Sequence, residues 1–372
     1  MARRVLITGG AGFIGSHLAD ELLDAGYAVR VFDNCSPQVH GPGHGPPSYL
    51  SPEVEFVRGD IQDGAALRQA LRGVENVVHL AAMVGVGQSM YEVADYTAVN
   101  DLGTAILMQA LLERPVGRVV VASSMSVYGE GRYETAAGEI IDTAERTAAR
   151  LKSGQWNPVG PDGAPLRPLP TPEDKRPNLS SVYALNKYAQ ERVCLLIGHA
   201  YDLPSIALRF FNVYGERQAL SNPYTGVLAI FASRLLNGNP PLVFEDGQQR
   251  RDFVHVRDVA RACRLALEAP RSVTGVFNVG SGVSRTICDV FRELAATMGS
   301  PGGIAEITGR YRVGDVRHCF ADITRARTEL GFEPRIGFAD GLAEFVTWLS
   351  RETAVDRVEE ATGELLRRGL VA

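Results

Sequence analysis

The stretch Arg4-Val5-Leu6-Ile7-Thr8-Gly9-Gly10-Ala11-Gly12-Phe13-Ile14-Gly15-Ser16-His17-Leu18 passes from a short apolar run through a glycine turn into residues with helical spacing, which continues through Leu22 and Leu23 until Gly26 closes it. A strand, a glycine turn and a helix in that order form the context a dinucleotide fingerprint requires. Glycines permit the tight turn and close approach of a pyrophosphate, and the helix amino end favours its charge. A second strand over 28–32 ends in Asp33, 18 residues after Gly15, where a carboxylate bonds the adenosine ribose hydroxyls. A 2′-phosphate would be repelled there, so the pattern favours NAD over NADP. The bland alternative is a turn-rich βαβ unit that binds nothing.

Outward from the fingerprint, strands alternate with helices. Residues 54–57 read as a strand before Gly59-Asp60-Ile61, 65–71 as a helix, and Asn76-Val77-Val78-His79-Leu80-Ala81-Ala82 as a buried strand entering a small-residue turn. A long helix is predicted over 91–112, then a strand over 118–122 that runs into Ser123-Ser124-Met125-Ser126-Val127-Tyr128-Gly129. Repeated βα units imply an α/β fold, a doubly wound parallel sheet with ligands at the carboxyl ends of its strands. Ser124 stands at such an end. Its hydroxyl can serve a substrate oxygen or merely cap a turn.

The chain holds three lysines among its 38 basic residues, leaving 35 arginines, and one lysine follows a tyrosine by four in Tyr183-Ala184-Leu185-Asn186-Lys187. On a helix that spacing shares a face. An ammonium beside a phenol favours the phenolate, and lowering its pKa by ~3 units takes about 4 kcal/mol. Tyr183 is therefore a candidate general base, against the reading of an incidental surface pair.

A length of 372 residues suggests two domains, and 45% hydrophobic content supports a sizeable core. The net charge of −5 leaves no nucleic-acid footprint. No apolar run reaches membrane-spanning length, and the charged start followed by a strand is not a signal peptide, which predicts a cytoplasmic protein. Cys35, Cys194, Cys263, Cys288 and Cys319 include no C-x-x-C pair, and His40 and His44 lie in a proline-glycine loop. Neither metal binding nor a disulfide framework is predicted.

In these motifs the chain resembles the extended short-chain dehydrogenase/reductase family, in its nucleotide-sugar epimerase and dehydratase branch. The likeness continues through Leu208-Arg209-Phe210-Phe211-Asn212-Val213-Tyr214-Gly215, Asp246 to Val259 and Arg312-Val313-Gly314-Asp315. The resemblance implies a Rossmann-type domain over 1–210 that also receives 254–280, and a nucleotide-sugar domain from 211–253 and 281–372. It implies a catalytic triad of Ser124, Tyr183 and Lys187. NAD contacts would come from Gly9, Gly12, Phe13, Ile14, Gly15, Asp33, Asn34, Asp60, Ile61, Leu80, Ala81, Ala82, Asn100, Tyr183 and Lys187. Substrate contacts would come from Val84, Ser124, Ser126, Tyr183, Asn212, Phe244, Arg251, Arg312 and Cys319, with Asn212 and the two arginines on a diphosphate. Helices 91–112 and 182–200 would form a homodimer interface.

Departures from the family pattern narrow the expected chemistry. Dehydratases carry an Asp-Glu pair where this chain has Met125 and Ser126, and neither of these can remove water. Hexuronate 4-epimerases usually carry Thr at Asn212 and a Gly-Arg-Pro run soon after, where this chain reads Gly215-Glu216-Arg217-Gln218-Ala219. The expectation is a 4-epimerase of a neutral or deoxy hexose on UDP or dTDP. A reductase or dehydrogenase using the same triad, a uronate epimerase, and a non-catalytic NAD-binding regulator are the rivals. Cys319, where a bulky Tyr restricts family members to plain hexoses, is read either as a permissive gate or as a small core residue. The proline-rich insertion 131–177 has no counterpart in the family pattern and reads as a surface excursion packed by Trp156, with a substrate lid as the alternative. The final helix, expected over 354–368, carries mixed charge and reads as a solvated face.

Overall fold

Seven parallel strands form the central sheet of the computed structural model, which describes residues 3–41, 45–299 and 303–372. Their order is Gly275–Val279, Ser205–Phe210, Arg118–Ser124, Asn76–His79, Arg4–Thr8, Ala28–Asp33 and Glu55–Arg58. Successive side chains of a strand face opposite ways, and both faces are covered. Val5, Ile7, Val29, Val31 and Val120 pack with Leu18, Leu22, Val259 and Cys263 on one side. Leu6, Phe32, Val77, Val119 and Val121 pack with Leu107, Met108, Leu111 and Cys194 on the other. Strand order reverses between Arg4–Thr8 and Asn76–His79, so the crevice above their carboxyl ends is the switch point where such sheets bind ligands.

The predicted helix 91–112 is not uniform. It consists of Val93–Tyr96, a π-helical stretch Thr97–Leu102, and Gly103–Glu113. The widened turn aims the Asn100 amide at the backbone of Met83, accepting from its N–H at 2.8 Å and donating to its carbonyl at 3.1 Å. Gly103 lets this helix approach Ile61, since a Cβ there would fall 2.6 Å from the Ile61 side chain. Of the segment 254–280, the helix Val256–Glu268 packs on the first helix, Phe13–Asp24, and Gly275–Val279 forms the sheet edge, whereas Arg250–His255 belongs to a second, smaller sheet. That sheet sets Arg250–His255 between Asn212–Tyr214 and Ser284–Thr286, with His318–Cys319 also paired to Arg250 and Arg251.

The 131–177 insertion folds into a three-stranded antiparallel sheet, with Arg132–Glu134 between Ile140–Ile141 and Arg167–Leu169. Pro168 is tolerated because its strand is an edge. Tyr133, Ala144 and Leu166 give the insertion its own core. It is more than a surface excursion. Arg146 reaches out to pair with Glu130 at 2.9 Å and Glu245 at 2.5 Å, all three side chains being buried, and the Trp156 ring lies 6.4 Å from that of Tyr311. No helix among the described residues is long and apolar enough to cross a membrane.

Candidate active site

The glycine turn sits at the switch point. Gly9 has φ +70°, and a Cβ on it would lie 2.6 Å from the backbone nitrogen of Ala81, so the Leu80-Ala81-Ala82 turn closes directly over bare backbone. Gly15 is held as tightly, its Cβ position lying 2.5 Å from Gly10 Cα. The Phe13–Asp24 helix begins at Gly12 with no side-chain cap, so no side chain of its cap claims its first N–H groups. An anionic pyrophosphate fits this cradle of uncapped donors, and Ile14 packs beneath it against the sheet core.

At the end of the next strand, Asp33 accepts from Ala11 N at 3.0 Å and Cys35 N at 2.8 Å. Asn34 donates to Asp60 at 3.0 Å, and Asp60 also accepts from the backbone of Gln62 at 2.9 Å. Burial raises the Asp60 carboxyl but these hydrogen bonds outweigh it and hold it below its ordinary range. Ile61 is buried behind it. Asp33, Cys35 and His40 bring ligand-type atoms within 4.8 Å of one another. Burial, together with Asp33, pushes the Cys35 thiol up, and burial pushes His40 down against the pull of Asp33. His44 lies outside the described residues.

Tyr183 and Lys187 project from the helix Val182–Ala200, which begins at Ser181, whose hydroxyl caps Ala184 N at 3.1 Å. Ser89 steadies the same first turn by accepting from Tyr183 N at 3.0 Å. Ser124 ends the strand Arg118–Ser124, and its hydroxyl accepts from Ser126 Oγ at 2.9 Å and Ser126 N at 3.1 Å. The structure sets Ser124 against Tyr183 and Lys187 one helical turn further on, but not with the predicted electrostatics. Burial pushes the Tyr183 phenol up to about 12, with the Ser124 hydrogen bond opposing it. Lys187, lowered to about 8 by burial, spends its ammonium on the Ala122 carbonyl at 3.1 Å. The lysine alone therefore does not depress the phenol, because desolvating a buried phenolate costs more than this geometry returns. His79, behind the lysine, accepts or donates to Thr8 at 2.7 Å and Thr104 at 2.9 Å, and burial, then Lys187, pushes it down to about 3.

Across the cleft, Arg251 and Arg312 gather around Asp315. Arg251 donates to Asp315 at 3.3 Å, and the Arg312 guanidinium stacks 4.2 Å from the centre of Phe244. Burial raises the Asp315 carboxyl, but Arg251, Arg312 and Arg146 together hold it below the ordinary range. The Asn212 amide oxygen is buried with no hydrogen-bond partner. Between Ser126 and Arg312 lies a cavity of about 120 Å³.

Of the nine expected substrate contacts, Ser126 and Arg312 line this cavity, and Cys319 and Val84 are placed differently from the expectation. Cys319 is fully buried among Met125, Val127, Tyr128 and Phe211, donates to Thr171 at 3.8 Å, and does not line the cavity; its small side chain serves the core. Val84 is exposed, and the cavity wall is made two residues later by Val86 and Gly87. The sequence reading missed two groups. Arg146 and Asn157 of the insertion hold up the substrate side, and the helix Val358–Arg367 turns Leu365 into the cavity instead of presenting only a solvated face. Its four-residue spacing of the buried Ala361 and Leu365 was the available signal.

The model of the NAD dependent epimerase/dehydratase family matches residues 5–150 and 157–280. The chain is 35% identical over 356 residues to dTDP-L-rhamnose 4-epimerase of Burkholderia thailandensis, covering 94% of this chain and 96% of that one. It is 33% identical over 355 residues to UDP-glucose 4-epimerase of Mycolicibacterium smegmatis, covering 94% and 99%. A crystal structure of UDP-glucose 4-epimerase with UDP-glucose from Thermotoga maritima superposes with a TM-score of 0.76 at 30% identity, covering 94% and 99%.

Proposed function

The chain belongs to the NAD dependent epimerase/dehydratase family, and from that premise we propose that it is an NAD-dependent nucleotide-sugar 4-epimerase acting on a neutral or deoxy hexose carried by UDP or dTDP. The observation that carries this reading is Ser124 set against Tyr183, with Lys187 one turn further along the same helix and Met125 and Ser126 where a dehydratase needs acid and base. In this reading Gly9, Gly12, Phe13 and Gly15 seat the cofactor pyrophosphate, and Asp33 with Asn34 and Asp60 meets the adenosine ribose. Arg251, Arg312 and Asn212 hold the substrate diphosphate, for which planar guanidinium gives paired donors.

Tyr183 takes the proton from the sugar C4 hydroxyl, and Ser124, itself oriented by Ser126, donates to or accepts from the same oxygen. The keto sugar turns over, and Tyr183 returns the proton on the opposite configuration. NAD, when bound, would supply the acceptor for the C4 hydride and its return to the other face, with a positive charge that favours the phenolate. Burial holds the Tyr183 phenol up while Lys187 rests on Ala122, so in this reading the positive charge that bound NAD would bring is what favours the phenolate.

The five cysteines carry no disulfide, which supports a reducing, cytoplasmic setting. Exposed Val93, Leu102, Leu185 and Leu196 on the two long helices support a homodimer through them, testable by sedimentation. The function itself is tested by NMR of purified protein with UDP- and dTDP-hexoses and no added cofactor, where C4 inversion is expected. Strict dependence on added NADH or NADPH with net consumption would make it a reductase.

A further inference from the structure

The sequence offers His40 a partner four residues on, in His44, but the fold gives it two others. Asp33 ends the strand Ala28–Asp33, Cys35 follows in a left-handed turn with φ +53°, and the short helix Pro37–His40 turns its last ring back to both. One ligand atom from each, a carboxylate oxygen, the thiol sulfur and a ring nitrogen, lie within 4.8 Å of one another. All three are withdrawn from water. The side chains of Asp33 and His40 are each 8% exposed, and Cys35 is 2% exposed.

His40 is left unserved by the polypeptide. Its Nδ1 is buried without a hydrogen-bond partner among the described residues, and its Nε2 faces Asp33 Oδ1 across 3.9 Å, beyond hydrogen-bond reach. A buried polar ring of this kind costs free energy until something bridges it to its neighbours. Sulfur, imidazole and carboxylate together make the donor set of zinc and cobalt rather than of magnesium or calcium. Tetrahedral zinc holds such ligands at about 2.0–2.3 Å, so that they stand roughly 3.3–3.7 Å from one another. A small side-chain rotation brings His40 and Asp33 from 3.9 Å to that spacing. The two causes that keep the Cys35 thiol protonated, burial and the Asp33 charge, are both offset by a dication between sulfur and carboxylate, which sends the thiol proton to solvent.

We propose that Asp33 Oδ1, Cys35 Sγ and His40 Nε2 form a site for a zinc-type divalent cation, its fourth position left to water, and that this cation competes with NAD for Asp33. A carboxylate has about four lone-pair positions. Ala11 N takes one on Oδ2 and Cys35 N takes one on Oδ1, which leaves one on each oxygen. Two hydroxyls of the adenosine ribose use both, and the cation uses the one on Oδ1. This competition rests on the reading that sets Asp33 against the ribose.

The test uses the full-length protein as purified and cobalt(II) as the probe, because a thiolate on cobalt gives a strong near-ultraviolet charge-transfer absorption. Cobalt titrated into the protein should produce that absorption, with NAD appearing in the ultrafiltrate in step, and zinc should abolish it. Cys35→Ser should remove the absorption, and His40→Ala should weaken cobalt binding by at least about 10- to 100-fold. Cys288→Ser, which alters the one other cysteine that is not fully buried, should change neither. Added NAD should weaken cobalt binding by about 10-fold or more. An absorption that survives Cys35→Ser, cobalt binding indifferent to His40→Ala in a variant with an unchanged unfolding midpoint, or full occupancy by cobalt and NAD together would overturn the proposal. No sugar enters these measurements, so a failure of C4 inversion removes the epimerase reading and leaves this one standing.

Discussion

The two walls of the cleft are built from different forces. On the cofactor side, a parallel backbone ladder and bare glycine contacts hold the turn, and its polar groups are small and local: Asp33 on Ala11 and Cys35, Asn100 on Met83. On the substrate side, the support is a buried charge network, in which Arg146 spans Glu130 and Glu245 while Arg317 binds Glu245 at 2.8 Å and Asp246 at 2.6 Å. Tyr133 closes it with a 2.6 Å hydrogen bond to Glu130. Hydrocarbon packing and backbone bonds tolerate loss of one neighbour, whereas a buried pair with one member removed leaves an uncompensated charge. The cofactor wall should therefore be robust and the substrate wall brittle.

The largest expected effect tests that brittleness. Arg146→Ala leaves Glu130 without its ion pair and Glu245 to Arg317 alone, and should lower the unfolding free energy by about 3–5 kcal/mol in denaturant titration. NAD retained after dialysis should be unchanged, and loss of NAD in step with stability would mean that the walls form one unit. Next, Tyr183→Phe should cut C4 inversion by at least ~10²-fold with NAD content and unfolding midpoint intact, because it removes one oxygen from a site already packed. Wild-type turnover in that variant would end the proposed mechanism. On the cofactor wall, Gly9→Ala forces a side chain into a left-handed conformation against Ala81 and should cost about 1–3 kcal/mol, read as NAD lost on dialysis, while UDP affinity holds.

The smallest effect compares the walls by acid. Burial pushes His79 on the cofactor side and His318 on the substrate side down to about 3 each. Unfolded histidine takes a proton near 6.5 and these do not until about 3, so between those values the unfolded state binds more protons. Stability is then full above pH about 6.5 and lost as pH falls, by up to about 1.4 kcal/mol per unit per histidine. Urea unfolding at pH 7 and pH 5 should show this slope, and His79→Gln should remove one share of it; an unchanged slope would show that His79 takes up its proton in the fold as it does unfolded.

The cofactor wall was legible because its determinants are near one another in the chain. Strand periodicity, the glycine spacing and the Tyr183–Lys187 interval each fit within a few turns or one βαβ unit. The substrate wall was not, because Arg146 meets Glu245 across 99 residues and Arg317 meets Asn157 across 160, and nothing local to any of these announces its partner. Cys319 illustrates the same limit. Its position in the chain matched a gate, but whether such a residue faces a cavity or the core depends on how strand His318–Cys319 pairs with Arg250 and Arg251. The π-helical turn at 97–102 escaped as well, since a widened turn keeps the apolar spacing of an ordinary helix at this length.

The scarcity of lysine has a practical consequence. Lys175 is buried with its ammonium on the carbonyls of Tyr128 at 2.9 Å and Arg176 at 3.1 Å, and Lys187 is buried on Ala122. Lys152 alone among the three is exposed, at the end of the helix Ala148–Lys152 in the insertion. An amine-directed fluorophore thus meets one side-chain target, placed by the fold on the element that Arg146 fastens to the substrate wall. Lys152 is the one side-chain amine from which the movements of that wall can be watched, the α-amino group being blocked or labelled separately.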